Sequence, residues 1–344
     1  MQITTIGMDL AKNVFQVHGV DKRGKAVLRK PLKRHQVLPF FANLDPCLIG
    51  MEACGSAHHW ARRLSVLGHT VKLMAPQFVK PYVKTNKHDA ADAEAICEAV
   101  ARPTMRFVPV KTAEQQAILA VHRARQGFVK ARTACANQIR GLVAEFGIVM
   151  PKGLAHIAKR VPGILEDAEN GLPETMRPLV ERLATHLKAL DRQVSELEAQ
   201  IQAWHRQSAT SRQIEKIPGI GPITASALVA SVGDAKTFDN GRQLAAWLGL
   251  VPRQHSSGGK PTLLGISKRG DTYLRTLLIH GARAVVRVAE RQTEADPWLK
   301  RLLARRHKNV AAVALANKNA RIVWALLAHG RDYRADYTPA PITA

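Results

Sequence analysis

Cysteine is scarce in this sequence, and its few cysteines form no metal-binding or disulfide pattern. They stand at four positions without CxxC spacing: Cys47, Cys54, Cys97 and Cys135. Zinc knuckles and disulfide frameworks require closely patterned cysteines, so neither is expected. A chain of 344 residues, 46% of them hydrophobic, can bury a core without such cross-links. We therefore expect two or three folded domains in a reducing cytoplasm.

Long hydrophobic runs are absent as well. No apolar run approaches the ~20 residues of a membrane span. The first residues, ITTIGMDLAKNVFQV, alternate apolar and polar side chains like a strand, whereas a signal peptide has a continuous apolar core. The sequence therefore predicts no membrane partner.

Acidic residues are few beside basic ones. The chain has 27 Asp plus Glu against 51 Lys plus Arg, a formal net charge of +24. A surface of this sign attracts polyanions over a Debye length, which indicates nucleic acid as the partner. A basic surface can also serve solubility alone, and that interpretation predicts no particular ligand.

The N-terminal third predicts a mixed α/β sheet. Three segments, ITTIGMD, NVFQVHGV and KAVLRKPL, predict a β-meander over residues 3–32. Helices and strands then alternate: a helix near 35–44, the strand CLIGM, a helix over 57–67, the strand TVKLMA and a helix over 89–101.

Helical patterns dominate the remainder of the chain. A basic helix is predicted over 113–145, and prolines and glycines between 151 and 173 predict a break. A second long helix carries apolar residues at the 3.5-residue spacing of a coiled-coil seam. These residues are Leu183, Leu187, Leu190, Val194, Leu197, Ile201 and Trp204. The seam fits packing within its own domain, a helical hairpin or an oligomerising coil.

Four carboxylates stand out against this basic background. Asp9 ends the first predicted strand and Glu52 the fourth, while Asp89 and Asp92 begin a predicted helix three residues apart. Carboxyl ends of neighbouring strands open onto one crevice, and residues three apart share a helix face. Magnesium prefers carboxylate oxygens, so the four acids predict a metal site for phosphoryl transfer.

Simpler roles exist for some of these acids. Asp89 and Asp92 also fit ordinary charges at a helix N-terminus. Asp9 sits in an otherwise apolar strand, where an ionised group needs a partner such as a metal, and Glu52 follows the apolar CLIGM in the same way.

The segment IPGIGPITASAL fits a helix-hairpin-helix. In this interpretation Gly219 and Gly221 let the hairpin backbone approach closely while the next helix presents its N-terminus to a phosphate. Such a module binds the nucleic-acid backbone without reading its sequence. The alternative is a tight turn between two packed helices.

Three segments together resemble a known family. GMDLAKNVFQV contains Asp9, IGMEACGSAHHWA contains Glu52, and KTNKHDAADAEAI contains Asp89 and Asp92. They resemble the DEDD motif of the one-ten family of bacterial insertion-sequence transposases, and more narrowly its eleven-eleven subgroup. The resemblance implies a RuvC-like, ribonuclease-H-fold domain over residues 1–112. Its four acids would bind Mg²⁺, with Mn²⁺ as the alternative ion.

The same resemblance implies the rest of the domain organisation. A helical, coiled-coil-like linker would occupy residues 113–210. A mainly helical C-terminal transposase domain, with the helix-hairpin-helix and a serine loop, would occupy residues 211–332, before a tail over 333–344. The expected fold class is therefore α/β plus all-α.

A candidate nucleophile also comes from the resemblance. FDNGRQLAAWLGLVPRQHSSGGKPTLLGISKRGDTYLRTLLIHGA resembles the family's C-terminal signature, in which a serine after GLxPR attacks DNA. By register this serine is Ser257, with Ser256 as the neighbouring alternative, and it would meet the metal site across domains or protomers. Four nearby cations would stabilise phosphate charge or form a DNA-facing surface: Arg253, Lys260, Lys268 and Arg269.

Membership in this family would also define the partners. The resemblance implies DNA as substrate and a structured non-coding RNA, the bridge RNA, whose loops pair with target and donor DNA. Basic helices near residues 123–140 and 300–308 are candidate contacts to either backbone. Strand exchange between paired sites implies a homodimer or homotetramer acting at the nucleoid.

Three other functions remain open from the sequence. A Holliday-junction resolvase would use the same acids to activate water, but it leaves the C-terminal region unexplained. An actin-like kinase or ATPase shares a phosphate loop that GMDLAKNVFQVHGVDKRGKAV resembles, yet no later glycine-rich adenosine segment follows. A non-catalytic nucleic-acid-binding protein would use the acids as caps and surface charges.

Overall fold

The computed structural model describes residues 2–84, 88–291 and 296–335. The chain forms two compact units, Met1–Gln116 with Val232–Thr237, and Ala117–Ser231 with Phe238–Ala344. The predicted boundaries at 112 and 210 stay predictions. Of the predicted tail over 333–344, residues 336–344 lie outside the described residues.

The first unit contains a six-stranded mixed sheet. Its strands are β1 (Thr5–Asp9), β2 (Val14–Val20), β3 (Ala26–Lys33), β4 (Leu48–Glu52), β5 (Thr70–Met74) and β6 (Phe107–Val108). The spatial order is β3-β2-β1-β4-β5-β6, and β4 runs parallel to both β1 and β5 while the other pairs are antiparallel. The predicted meander and mixed sheet are confirmed, and the arrangement agrees with a ribonuclease-H-like domain.

Helices cover the sheet, and the residues of each strand point alternately to its two faces. The helices of this unit are α1 (Val37–Ala42), α2 (Ala57–Val66), α3 (Pro76–Val79) and α4 (Asp89–Val100). Ile6 and Met8 of β1 point into an apolar core shared with α1 and α2. Gly7 and Asp9 alternate with them and therefore face α4 on the other side.

α4 lies directly on the backbone of β1. A Cβ atom added at Gly7 would stand 2.1 Å from the Ala93 carbonyl oxygen and 2.3 Å from the Cys97 nitrogen. On β4, a Cβ atom at Gly50 would stand 2.6 Å from the Val100 Cβ. Two strands that lack a side chain at these points therefore determine how closely α4 can approach the sheet.

The second unit is mainly helical. Its elements are α5 (Ala113–Ala144), α6 (Leu154–Glu166), α7 (Met176–Gln207), α8 (Ala209–Glu215), α9 (Pro222–Val232), α10 (Gly241–Trp247), β7 (Pro252–Gln254), β8 (Leu263–Ile266), α11 (Thr272–Ala289), α12 (Pro297–Leu303) and α13 (Lys308–His329). The first residues of α5 and the last residue of α9 belong to the first unit. The predicted break over 151–173 is wrong in its centre, where α6 forms with Pro162 inside it. Burial of Ile157 and Val161 against α5 and α7 stabilises this helix despite the proline.

The predicted coiled-coil seam is buried inside the chain. α7 packs antiparallel on α5, with the Arg125–Glu198 and Arg132–Asp191 ion pairs each 2.5 Å long. The buried residues of the seam are Leu187, Leu190, Val194 and Ile201. Within the described residues the seam therefore packs against α5 of the same chain, as packing within its own domain and a helical hairpin both expect, and an oligomerising role for it stays a prediction.

α13 is long and apolar enough to cross a membrane by length and composition alone. It packs against α10, α11 and α12, and 44% of its most apolar stretch is buried. Core helices of water-soluble domains commonly pass the same test, so this helix is weak evidence for a membrane span.

A buried polar network joins three helices of the second unit. The Nδ1 atom of His122 on α5 lies 3.0 Å from the Tyr273 hydroxyl on α11. Its Nε2 atom lies 3.1 Å from the Ser226 hydroxyl on α9. Ser226 donates to the Pro222 carbonyl at 2.7 Å, so Nε2–H donates to Ser226 and Nδ1 accepts from Tyr273. Burial, with a smaller effect of Arg125, lowers the pKa of His122 to about 4.

Gly7→Ala is expected to destabilise the protein by about 1–3 kcal/mol, because its methyl group would collide with the α4 backbone. Thermal and denaturant unfolding measure the change. Gly127→Ala is the control: α5 has open space at Gly127, so alanine should stabilise the helix by roughly 0.5–1 kcal/mol. Equal effects of the two substitutions would contradict the α4 contact.

Stability should fall in mild acid because of His122. The unfolded chain takes up a proton as the pH drops through the usual His pKa of 6.5, whereas the folded chain does so only near its own pKa of about 4. The free energy of unfolding should therefore decrease by up to about 1.4 kcal/mol per pH unit between these values. His122→Gln should remove that part of the slope in urea titrations, whereas His186→Gln, at an exposed position of α7, should keep it.

Candidate active site

Asp9 and Glu52 lie side by side at the carboxyl ends of two parallel strands. Met8 of β1 pairs with Met51 of β4, so the next residue of each strand, Asp9 and Glu52, continues that register. Both are half-buried and face the side of the sheet that α4 covers. Burial first, then the charges of Glu52 and Asp9, raise the pKa of the Cys54 thiol, so both carboxylates act on one nearby group.

Asp89 and Asp92 occupy the first turn of α4, where the sequence predicted them. His88 begins the helix, and its Nδ1 accepts from the Ala90 backbone N–H at 3.1 Å. Asp92 directly precedes Ala93, whose carbonyl lies over Gly7. α4 therefore directs its acidic turn toward the strand that ends at Asp9, and both acids also suit the helix dipole.

The structure brings together two of the four predicted acids, not all four. Within residues 2–84, 88–291 and 296–335, no group of three or more His, Cys, Asp or Glu side chains is close enough to hold a metal ion. Residues 85–87 of the KTNKHDAADAEAI motif lie outside the described part. Asp9 and Glu52 nevertheless supply a fitting donor set, because Mg²⁺ usually binds one or two carboxylates together with substrate phosphates and water.

The other acids of α4 are engaged in ion pairs on its outer face. Lys84 lies 3.3 Å from Glu94 and 3.2 Å from Glu98, and Arg102 lies 2.6 Å from Glu98. Arg29 of β3 reaches Glu94 at 3.9 Å. Hydrogen bonds and charges of the two glutamates raise the pKa of Lys84. Glu94 and Glu98 thus secure the chain before α4 and are not part of the candidate metal site.

The predicted serine loop is the tip of a β-hairpin, which the sequence interpretation missed. β7 and β8 pair antiparallel, and the Lys260 N–H donates to the Ser257 carbonyl at 3.1 Å across a turn formed by Gly258 and Gly259. The φ angles of these glycines are +57° and +75°, as a type I′ turn requires. The SGGK sequence was the available signal for this hairpin.

The hairpin gives its two serines different roles. The Ser256 hydroxyl accepts from the Gln254 side chain at 2.9 Å and from the Thr262 backbone N–H at 3.2 Å. Ser257 is exposed at the tip, and its hydroxyl has no partner among the residues that the structure describes. Ser256 therefore stabilises the hairpin, while the Ser257 hydroxyl is exposed to solvent.

The predicted cations of this region are all exposed. Arg253 and Lys260 lie on the hairpin, and Lys268 and Arg269 lie in the loop after it. That loop packs by its backbone on the end of α10, where a Cβ atom at Gly249 would stand 2.0 Å from the Arg269 carbonyl oxygen. The backbone contact holds the loop while the side chains of Lys268 and Arg269 face solvent.

The two glycines of the predicted helix-hairpin-helix differ in what they contact. A Cβ atom at Gly219 would stand 2.9 Å from the Gly281 carbonyl oxygen of α11, so this glycine serves packing within the unit. Asn319 of α13 donates to the Pro218 carbonyl at 2.8 Å and holds the same turn. Gly221, directly before α9, is exposed and has open space around it. Gly221 is therefore open to solvent, while Gly219 is covered by α11, and a phosphate contact at this turn stays a prediction.

Most of the predicted basic contacts on α5 are used inside the protein. Arg125 and Arg132 pair with acids of α7. Arg140 donates to the Pro151 and Gly153 carbonyls at 3.3 and 2.7 Å. Arg123 and Lys130 are exposed and remain candidates for a nucleic-acid backbone.

Comparison with known proteins places both parts of the chain in one family. A family model described as "Transposase IS116/IS110/IS902 family" matches residues 211–299, and a DEDD-type IS110 model described as "Transposase" matches residues 6–148. A "Probable family 20 transposase" of Pseudomonas aeruginosa is 58% identical over 97% of this chain and 99% of its own length.

Two further relatives are named for their insertion sequences. The transposase for IS1111A of Coxiella burnetii is 46% identical over 96% of this chain and 92% of its own length. The transposase for IS1328 of Yersinia enterocolitica is 46% identical over 95% and 98%. With two family models and full-length relatives in agreement, the chain belongs to the IS110/IS116 family of insertion-sequence transposases, DNA-recombining enzymes with a DEDD-type domain.

Proposed function

We propose that this transposase cleaves and exchanges DNA strands with two sets of residues. Asp9 and Glu52, joined by Asp89 and Asp92, would hold Mg²⁺ or Mn²⁺, and Ser257 would supply the nucleophile. The observation that carries the proposal is the adjacent placement of Asp9 and Glu52 at the ends of parallel strands. When bound, the metal supplies positive charge that stabilises phosphoryl transfer.

The covalent step belongs to Ser257. Its Oγ forms a bond to phosphorus while a P–O bond to one deoxyribose breaks, and the serine proton leaves as the departing oxygen gains one. The exposed cations Arg253, Lys260, Lys268 and Arg269 offset the negative charge of the DNA around this residue. Reversal of the step with a different strand end completes the exchange.

Guidance and assembly complete the proposal. A structured non-coding RNA of the element would select the target and donor DNA, so the protein itself would need mainly backbone contacts. Gly221, Arg123 and Lys130 are exposed positions that suit such contacts. Two DNA ends must be held together, which calls for a homodimer or homotetramer.

Asp9→Asn and Glu52→Gln should each reduce cleavage of element-end DNA in Mg²⁺ by at least about 100-fold, because each removes a ligand of the metal ion whose charge stabilises the transition state. Gel assays of strand cleavage and exchange measure the loss, and binding of RNA should be unchanged. Asp45→Asn, an exposed acid before β4 at the opposite edge of the sheet, is the matched control. Full activity of the Asp9 variant would exclude the metal site.

Ser257→Ala should abolish a covalent protein–DNA adduct, since no other group in that position carries the nucleophilic oxygen. Ser256→Ala should keep the adduct and lower only the stability of the hairpin, whose hydrogen bonds it removes. Denaturing gels with labelled DNA detect the adduct. An adduct that persists in the Ser257 variant, or strand cleavage by wild-type protein with no adduct at all, would favour water as the nucleophile, as in a resolvase.

A further inference from the structure

The hairpin of β7 and β8 projects from its unit. Residues 252–265 are all exposed, so neither strand is covered by the described part of the chain. Burial begins at the hairpin base, which we define as residues 248–251 and 266–270. The direction in which the hairpin carries Ser257 therefore depends on how this base is held.

Backbone hydrogen bonds join the two halves of the hairpin base. The Gly249 carbonyl accepts from the Lys268 N–H at 3.1 Å, and the Val251 carbonyl accepts from the Ser267 N–H at 2.8 Å. Lys268 has a φ angle of +54°, a backbone conformation that costs free energy in a residue with a side chain. Such a conformation persists only where the surrounding contacts hold it, so the base must be firmly fixed.

Two side chains from neighbouring helices bind the carbonyls that alternate with these. Arg275 of α11 donates from Nη1 to the Leu248 carbonyl at 3.2 Å. Asn317 of α13 donates from Nδ2 to the Leu250 carbonyl at 3.1 Å. Leu248 and Leu250 are 0% and 2% exposed, so water does not reach their carbonyls to replace either donor. Loss of a donor would leave a buried carbonyl without a partner, which is unfavourable enough to move the base.

The charge of Arg275 suits the position that its side chain occupies. Arg275 is itself only 8% exposed. α10 ends at Trp247 with Leu248 as its C-cap, so the Leu248 carbonyl stands at the negative end of the helix dipole. The Nη2 atom donates to the Thr272 hydroxyl at 3.2 Å, which fixes the orientation of the guanidinium plane. A charge-assisted hydrogen bond of this kind is stronger than one from a neutral donor.

We propose that Arg275 and Asn317 are positioning residues, which hold the hairpin base so that Ser257 meets the scissile phosphate in one orientation. The inference rests on the proposed function of Ser257. Each side chain acts through a backbone carbonyl of the base and supplies no group to the reaction. Because the tip is far from the base along the hairpin, a small rotation of the base displaces the serine oxygen. Attack requires that oxygen within about 3–3.5 Å of phosphorus and in line, so the displacement slows the reaction.

Asn317→Ala should slow formation of the Ser257–DNA adduct by about tenfold or more, because it loosens the base without altering any residue of the hairpin. Full-length protein is saturated with element-end DNA and the RNA of the element, Mg²⁺ is added, and a single turnover is followed on denaturing gels. The dissociation constant for DNA should change less than about twofold, since a positioning residue affects the reaction more than binding.

Hydrogen exchange reports on the hairpin base independently of the chemistry. In full-length Asn317→Ala, the backbone amides of residues 249–251 and 266–268 should exchange roughly tenfold faster than in the wild type, because the base opens more often. Amides in the buried part of α9 should exchange at the wild-type rate.

Two variants at Arg275 separate its hydrogen bond from its bulk. Arg275→Lys keeps a charged donor near the end of α10 and should form the adduct within about threefold of the wild-type rate. Arg275→Met keeps most of the side-chain length but has no donor, and it should lose about as much rate as Asn317→Ala.

Gln213→Ala is the matched control for a lost hydrogen bond elsewhere in the unit. It removes a side-chain amide that donates to the Arg331 carbonyl at 2.6 Å, away from the hairpin. This variant should keep the wild-type adduct rate and the wild-type exchange at the base.

The outcomes separate this inference from the proposed function. Wild-type adduct rates in Asn317→Ala and Arg275→Met, or unchanged exchange at the base, would overturn the positioning role. An equal loss of rate in Gln213→Ala would overturn it too, because general destabilisation would then explain the result. If the wild-type protein forms no adduct while exchange at the base still rises in Asn317→Ala, the serine chemistry fails and the hold of these side chains on the base stands.

Discussion

Close contact between α4 and the backbone of β1 determines the geometry of the candidate active site. The contact exists because Gly7 has no side chain, and a helix can then lie with a carbonyl oxygen almost on the strand. Asp9 is two residues further along the same strand face, and Asp92 adjoins the contacting Ala93 of the helix. The spacing of the acids is thus set by packing, before any metal contributes.

Periodic features of this fold were predictable from the sequence, and features that depend on tertiary contacts were not. The strands through CLIGM, the start of α4 at Asp89 and both long helices followed from alternation and heptad spacing. Heptad spacing did not predict which helix covers the seam of α7, because the apolar residues of α5 that pack on it are brought there only by the folding of the chain. For the same reason α6 was missed: Pro162 is unfavourable locally, and packing of Ile157 and Val161 outweighs it.

The residues of the candidate site were more predictable from the sequence than their positions relative to one another. Asp9 and Glu52 meet as strand ends should, whereas the positions of Asp89 and Asp92 relative to them depend on how α4 crosses the sheet. The distinct bonding of Ser256 and Ser257 depends on a hairpin whose turn glycines were visible but whose strands are short and exposed. The close approach of Gly219 to Gly281 was not predictable because the two residues are distant in sequence, and the expected role of Gly219 in nucleic-acid binding stays a prediction.

The antiparallel pairing of α5 and α7 also has a consequence for how this chain tolerates change. The ion pairs Arg125–Glu198 and Arg132–Asp191 fix the register of the two helices along their length. The chain therefore leaves and returns at one end of the pair, where α6 and its flanking loops connect the two helices. Insertions or deletions in the loops on either side of α6 can lengthen or shorten the protein without shifting the register, so length variation should concentrate in these loops.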